Sequence, residues 1–464
     1  MSAPVIWIVI PAILALLLLF IPTKKFQLAL FFIICVILFL ATIVVKIDSI
    51  GGVRFYEFDV PATLQILGRR FVLPEESKGL IRIVFAINAF FAGIVFFLDQ
   101  KSRLIPLGLL FSCLLLAAYS VEPFLYSALI IEIAVLVSIP ILYDQNADRN
   151  TGGLRYLTLQ TLGMPFILLT GWFLAGGEIT PVGQEQLIQA VVLLGLGFMS
   201  WLAIFPLHAW VPMLFEETRA IDSGYVFQMF FLFLFLIMLK FFNNFVWFRE
   251  YAPVIQAFRV LGAFMCILGS AGSYFSQSPQ KKNGYILLHI IGILTVSVGI
   301  MNESDISMFS QSALSLWAGF TLLTISSAYI QSDLNQTTSP GSQNQSAREF
   351  LGSLGLIIAQ ISIAGMPLSI GFSSTQNIYL TSAKISNVLI VLLIVSKLII
   401  SVVSFNNIAV LVIKNQWSLS DLNLGKKELA FLLVLIFFII AGIFPGLSLP
   451  VADDLISGFQ NLIQ

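Results

Sequence analysis

The chain has 464 residues, with 24 basic and 24 acidic side chains and two histidines, so its formal net charge is zero. It is 58% hydrophobic and only 10% charged, against about 25% charged in soluble domains, and its mean hydropathy is +0.97. Zero net charge gives no footprint for nucleic acid. Apolar runs of about 20 residues, not alternating strands, exclude a β-barrel and predict an all-α polytopic membrane protein.

About 14 transmembrane helices are expected, near 5–22, 26–45, 81–98, 104–120, 124–143, 155–176, 185–205, 224–246, 252–275, 284–301, 307–330, 348–368, 387–412 and 428–450. The first run, "VIWIVIPAILALLLLFIP", lacks a basic n-region and a small-residue cleavage site, so it reads as a retained helix. Loops after odd-numbered spans carry Lys24 and Lys25, Lys101 and Arg103, Arg149 and Arg155, Arg219, Lys281 and Lys282, Arg348, and Lys414, Lys426 and Lys427. Short loops after even-numbered spans are acidic or neutral, as at Glu122, Glu178, Glu185, Glu303 and Asp305. The positive-inside rule then puts both termini on the non-cytoplasmic side of an inner membrane of prokaryotic or organellar type. Segment 46–80 is a long outer loop whose alternating pattern suggests a hairpin. Segment 331–347, with the sequon Asn335-Gln336-Thr337, reads as a polar cytoplasmic linker. Cys35, Cys113 and Cys266 each fall within an apolar run, unpaired by spacing, and read as small buried hydrophobes. No dinucleotide, phosphate-loop, metal or haem motif is present, so no cofactor is expected and the chain has no redox site of its own.

Two spans are interrupted. The seventh ends in "IFPLHAWVP", where Pro206 and Pro212 remove backbone donors. The twelfth ends in "IAGMPLSIGF", where Gly365, Pro367 and Gly371 act alike. Paired broken helices at corresponding places suggest inverted repeats with a site near the breaks. The expected organisation is 1–98 for helices one to three with the outer loop, 99–250 and 251–415 for two five-helix repeats, and 416–464 for a C-terminal helix. Two unrelated proline kinks are the alternative.

Around these breaks the chain resembles the antiporter-like membrane subunits of respiratory complex I (NADH:quinone oxidoreductase), which are related to Mrp-type cation antiporters and membrane-bound hydrogenases. The resemblance rests on Phe205-Pro206-Leu207-His208-Ala209-Trp210-Val211-Pro212, Ser223, "VEPFLYSALIIEI" ending at Glu132, "QKKNGYILLH" at 280–289, and Gly365-Met366-Pro367-Leu368-Ser369-Ile370-Gly371-Phe372. It spans roughly residues 100–415. It implies proton movement along a half-membrane water path, coupled to redox chemistry in partner subunits. The family's fifth-helix glutamate falls on Glu132. Its seventh-helix lysine falls on Trp201, its eighth-helix lysine on Leu232, and its charge after the second break on Thr375.

Ionisable groups in mid-membrane are functional candidates by default. Glu132, His208, Lys240, His289 and Lys397 therefore form the expected proton pathway. Each has a structural alternative. Glu132 could sit in an ion pair, with Lys397 as its partner. Lys240 could snorkel, and the histidines could bond backbone carbonyls. The charged stretch Glu216, Glu217, Arg219 and Asp222 reads as a solvated loop. The expected partners are lipid, other membrane subunits, and protons or monovalent cations. The expected function is that of a proton-translocating membrane subunit or diverged antiporter-like module. A cation/proton antiporter, alone or in a small complex tied to hydrogenase or inorganic-carbon chemistry, and a non-pumping scaffold are the alternatives.

Overall fold

The computed structural model describes residues 2–45, 60–98, 102–143, 151–174, 184–301, 305–334, 343–414, 425–459 and 462. Lys101, Arg149, Glu178, Glu303 and the sequon lie outside the described residues, as does the first part of the outer loop. In chain order, a π-turn at Val5–Val9 runs into α1 (Ile10–Leu18), followed by α2 (Lys24–Val44), the strands β1 (Thr63–Ile66) and β2 (Arg69–Val72), and α3 (Lys78–Phe97). Then come α4 (Leu107–Ser120), β3 (Val121–Glu122), α5 (Ser127–Leu142), α6 (Thr151–Leu174), α7 (Gln184–Trp201), α8 (Trp210–Glu217), α9 (Ala220–Asn244) and α10 (Val246–Glu250). The chain continues through α11 (Ala252–Phe275), α12 (Pro279–Gly299), α13 (Ser307–Leu334), α14 (Gln343–Ile363), α15 (Ile370–Ile385), α16 (Asn387–Lys414), α17 (Lys426–Ile443) and α18 (Leu449–Ile456).

This is an α-helical, multi-pass integral membrane protein. Among the described residues, seven helices are long and apolar enough to cross a bilayer, or eight if the bent pair α17–α18 forms one broken span. The helices α1, α4, α5 and α7 are apolar but shorter. Helix claims both ends of the expected 331–347 linker, because α13 runs to Leu334 and α14 starts at Gln343.

Burial sorts the helices into centre and rim. The apolar window of α9 is 94% buried, whereas that of α2 is 17% buried. A helix that is apolar all round must sit either inside a bundle or against lipid, and α9 takes the first place. Helix α9 packs on α13, α4 and α5, and α12 packs on α11, α8 and α13.

Lipid-embedded helices gain little by hiding apolar surface from lipid, so close packing of small residues drives their association. The pair α11–α12 follows that rule. A Cβ on Gly262 would lie 2.7 Å from the Val296 amide nitrogen, and one on Gly292 would lie 2.6 Å from that of Cys266. Gly269 lies just as close to the His289 backbone.

The hairpin expected in the outer loop is present. Leu67 and Gly68, with φ of 49° and 74°, form the turn between β1 and β2, the left-handed pair that a two-residue hairpin needs. β2 also pairs with β3, with Arg70 opposite Glu122, tying the hairpin to the α4–α5 junction. At the other end of the chain, α18 turns 98° from α17 and lies across the start of α3. Arg82 there donates to Asp454 at 2.7 Å, and Gly79 leaves room for the Asp454 backbone.

Replacing Gly262 or Gly292 by leucine should overpack the α11–α12 seam and cost about 1–3 kcal/mol or more. The thermal midpoint of the detergent-purified protein should fall; an unchanged midpoint would show that the seam yields.

Candidate functional site

Both helix breaks close with the same backbone device. At the first, the Leu202 N–H donates to the Phe198 carbonyl at 2.8 Å, and the Ile204 N–H reaches back to Met199 at 2.9 Å. Ala203 between them has φ +51°. At the second, the Ala364 N–H donates to Gln360 at 2.9 Å, and the Met366 N–H to Ile361 at 3.1 Å. Gly365 between them has φ +62°. This is the Schellman closure, in which one left-handed residue lets the last turn satisfy its own carbonyls. Glycine suits it; alanine at 203 accepts a strain of about 1–2 kcal/mol.

The prolines follow the stops. Helix α7 has ended at Trp201 before Pro206, whose bond to Phe205 is cis. Pro212 sits in the first turn of α8, where its missing N–H has no helical partner to lose, so it begins a helix and does not interrupt one. Pro367 likewise follows the end of α14, and Gly371 lies in the first turn of α15, against the Ser362 backbone.

The three positions without the family's charges are packed tight. Trp201 is 1% exposed. Its indole Nε1 donates to the Gln160 carbonyl at 3.2 Å, while Gln160 Nε2 donates to the Trp201 carbonyl at 3.4 Å. Gly163 is the flat spot on α6 that admits the indole. Leu232 is buried inside α9. Thr375 turns its hydroxyl onto the Gly371 carbonyl at 2.6 Å, beside a Ser315–Ser374 hydroxyl pair at 2.5 Å.

Among the described residues, no hydrogen bond or ion pair joins any two of the five pathway candidates. Lys240 donates from Nζ to the Tyr119 carbonyl at 2.8 Å and lies 5.0 Å from the Tyr119 ring centre. It thereby caps the last turn of α4, where a cation is favoured. His289 is buried, and its Nδ1 lies 3.1 Å from the Cys266 carbonyl across the α11–α12 seam. His289 thus meets a backbone carbonyl, as its structural alternative expects, while Lys240 meets one where snorkelling was the alternative. The other three lie at the edge of the chain. His208 is half-buried and stacks on Phe205 at 5.8 Å, with Nδ1 shielded and unpaired. Lys397 is half-buried, with Nζ 5.0 Å from the Tyr379 ring centre. Glu132 is half-buried and accepts from Thr161 Oγ1 at 2.7 Å.

The stretch 216–222, expected to be a solvated loop, is an anchoring junction. Glu217 accepts from the Gly152 N–H at 2.8 Å and from Thr151 Oγ1 at 3.0 Å, capping the start of α6. Glu216 pairs with Lys281 of α12 at 3.3 Å. Asp222 is 2% exposed and accepts from the Ser102 hydroxyl and, at 3.3 Å, from the Arg103 N–H. Partners 65 to 120 residues away left no local signal. Among the described residues, no group of three or more His, Cys, Asp or Glu converges as a metal site would require.

Lys240→Met removes a charge-assisted cap from α4 and should cost about 1.5–3 kcal/mol. A lower thermal midpoint with the fold retained is the expected reading; an unchanged midpoint would remove Lys240 from the structural account.

No family model and no curated protein matches the sequence. Solved structures do match. A chain of the respiratory complex I from Thermus thermophilus, solved with bound NADH, superposes with a TM-score of 0.72 at 20% identity, over 99% of this chain and 100% of that one. A chain of the membrane-bound sulfane sulfur reductase, an archaeal respiratory membrane complex, gives 0.76 at 14% identity, over 100% and 96%. A chain of the Mrp complex from Dietzia sp. DQ12-45-1b gives 0.74 at 12% identity, over 100% and 99%. With the paired Schellman breaks, these full-length superpositions give the protein the fold of the antiporter-like membrane subunits of complex I-type and Mrp-type assemblies.

Proposed function

We propose that the chain is a membrane subunit of a complex I-type, proton-translocating assembly, working as a diverged antiporter-like module with its redox chemistry in partner subunits. The observation that carries this reading is the matching closure at Ala203 and Gly365, 162 positions apart, in a fold shared with chains of two respiratory membrane complexes and an Mrp complex. The same offset takes α5–α9 onto α12–α16, and α4 precedes the first set as α11 precedes the second. That supports two inverted five-helix repeats, 99–250 and 251–415. It also supports about 14 crossings in which α8 and α15 are the return halves of broken spans. On this reading Lys24, Arg103, Arg155, Lys281, Arg348 and Lys426 face the cytoplasm, and both termini lie on the opposite side.

Proton handling falls to Glu132, His208 and Lys397, because Lys240 and His289 are committed to backbone carbonyls. The substrate is a proton or a monovalent cation, and lipid surrounds the module. One observation favours a non-pumping scaffold as the second reading. Trp201 and Gln160 seal the α6–α7 contact where the family keeps a lysine.

Redox-driven proton uptake by proteoliposomes holding the purified assembly separates the two. Glu132→Gln should lower the rate at least about tenfold, equivalent to about 1.4 kcal/mol. Uptake equal to wild type would sink the proton-carrying reading and leave the scaffold. Sodium- or potassium-dependent exchange by the chain alone would replace both with a stand-alone antiporter.

A further inference from the structure

Helix α18 and the residues on either side of it touch three separate parts of the chain. The corner between α17 and α18 turns through 98° at Pro445–Leu447. Just before that corner, Gly442 lies against the second break: a Cβ there would be 2.9 Å from the Leu368 carbonyl oxygen and 3.1 Å from the Ile370 nitrogen. On the helix itself, Asp454 pairs with Arg82 of α3 at 2.7 Å, and its backbone fills the groove left by Gly79. Beyond the helix, the Ser457 hydroxyl donates to the Glu76 carbonyl at 2.9 Å, and a Cβ on Gly458 would lie 3.8 Å from the Tyr119 hydroxyl. Tyr119 is the residue whose carbonyl holds Lys240 at the end of α4. The segment 445–458 is therefore a strap that runs from the second break, over α3, to the junction of α4 and α9.

The same end of the bundle shields polar atoms that the chain leaves unpaired. They are Ser2 Oγ, Trp7 Nε1, Arg82 Nε and Ser127 Oγ. The Trp7 ring stands 6.0 Å from that of Phe85, one turn along α3 from Arg82. Ser127 follows Tyr126, whose ring Arg69 of the hairpin covers at 3.7 Å. Buried groups of this kind are met by water, so the hairpin and the strap roof a wet interior. The two parts of the roof are fastened differently. The hairpin is tied by backbone pairing between β2 and β3. The strap has one hydroxyl bond and one ion pair, whose side chains are 32% and 46% exposed and so open to screening by salt. Its corner is loose at Gly446, where a Cβ would meet nothing within 4 Å. Its fit on α3 depends on glycine, since a Cβ at Gly79 would lie 2.3 Å from the Asp454 carbonyl oxygen.

We propose that this strap is a gate: it swings about the 442–447 corner, and its release from Arg82 and Gly79 opens the ends of α3 and α4, with the unpaired polar atoms beneath, to the water at that face. The seat of the corner on Leu368 and Ile370 ties the release to the geometry of the second break. What passes when the gate is open, a proton or a monovalent cation, rests on the subunit reading above. The opening itself needs only this chain.

Ala452 is buried on the inner side of the strap, so Ala452→Cys reports release through its reaction with a membrane-impermeant maleimide. Cys35, Cys113 and Cys266 are buried, and the parent chain gives their background. In the intact assembly, labelling at 452 should be slow. It should quicken about twofold to fivefold with Asp454→Asn or in high salt. It should quicken about tenfold with Gly79→Ala, whose methyl displaces the Asp454 backbone. An unchanged rate with Gly79→Ala, or labelling at 452 as fast as at an exposed cysteine, would overturn the gate. Glu76→Cys with Gly458→Cys locks the strap, because the two Cβ atoms would stand 3.9 Å apart, within disulfide range. Oxidation with diamide should then stop redox-driven proton uptake by proteoliposomes, with recovery on reduction. A locked assembly that takes up protons at the wild-type rate overturns the gate as well. An unlocked assembly without uptake refutes the function proposed above, and the labelling rates alone then decide whether the strap moves.

Discussion

Every other feature of this protein is subordinate to one requirement: in an apolar medium each backbone N–H and C=O must find a partner within the protein. Unbroken helices meet it automatically. The places where the chain departs from helix show how the requirement is otherwise met. At 201–210 and 363–370 the last carbonyls of α7 and α14 are answered by residues just beyond the stop, through Ala203 and Gly365 in the left-handed region. Pro206 and Pro367 come after the stop and keep the helix from resuming, whereas Pro212 sits in the first turn of α8. The far end of α8 caps α6 through Glu217 and holds α12 through Glu216.

Polar side chains divide by whether the fold itself uses them. Lys240, His289, Gln160 and Asp222 are each bonded to a backbone group far along the sequence. They act as fasteners between helices, at junctions that small residues have brought close. Glu132, His208 and Lys397 are half-buried at the rim of the chain. There Glu132 accepts from Thr161, His208 stacks on Phe205, and Lys397 lies over the Tyr379 ring.

Much of this was legible in the sequence. Apolar run length gave the membrane class, and the proline–glycine interruptions marked both breaks to within a few residues. The 46–80 alternation found the hairpin, because period-two patterning survives even in a short strand pair. Three things escaped. Proline identity suggested that Pro212 breaks a helix, but proline in a first turn costs nothing, and only the position of α8 reveals that. The stretch 216–222 looked solvated because its partners, Thr151, Gly152, Ser102 and Lys281, lie up to 120 residues away. For Lys240 and His289 the sequence shows the ionisable group and not the carbonyl each one meets, because Tyr119 and Cys266 lie on other helices.

The docking of α18 on α3 bears on how the molecule is made. Arg82 and Asp454 are 372 residues apart, yet they form an ion pair at 2.7 Å. Helix α3 is synthesised long before α18 and must wait in the membrane until that neighbour arrives. During that interval its Arg82 end and the Gly79 groove stay open to lipid headgroups or to chaperoning proteins. Closure by α18 thus makes the cover of α3 a late event, fixed by a pair of residues 372 positions apart.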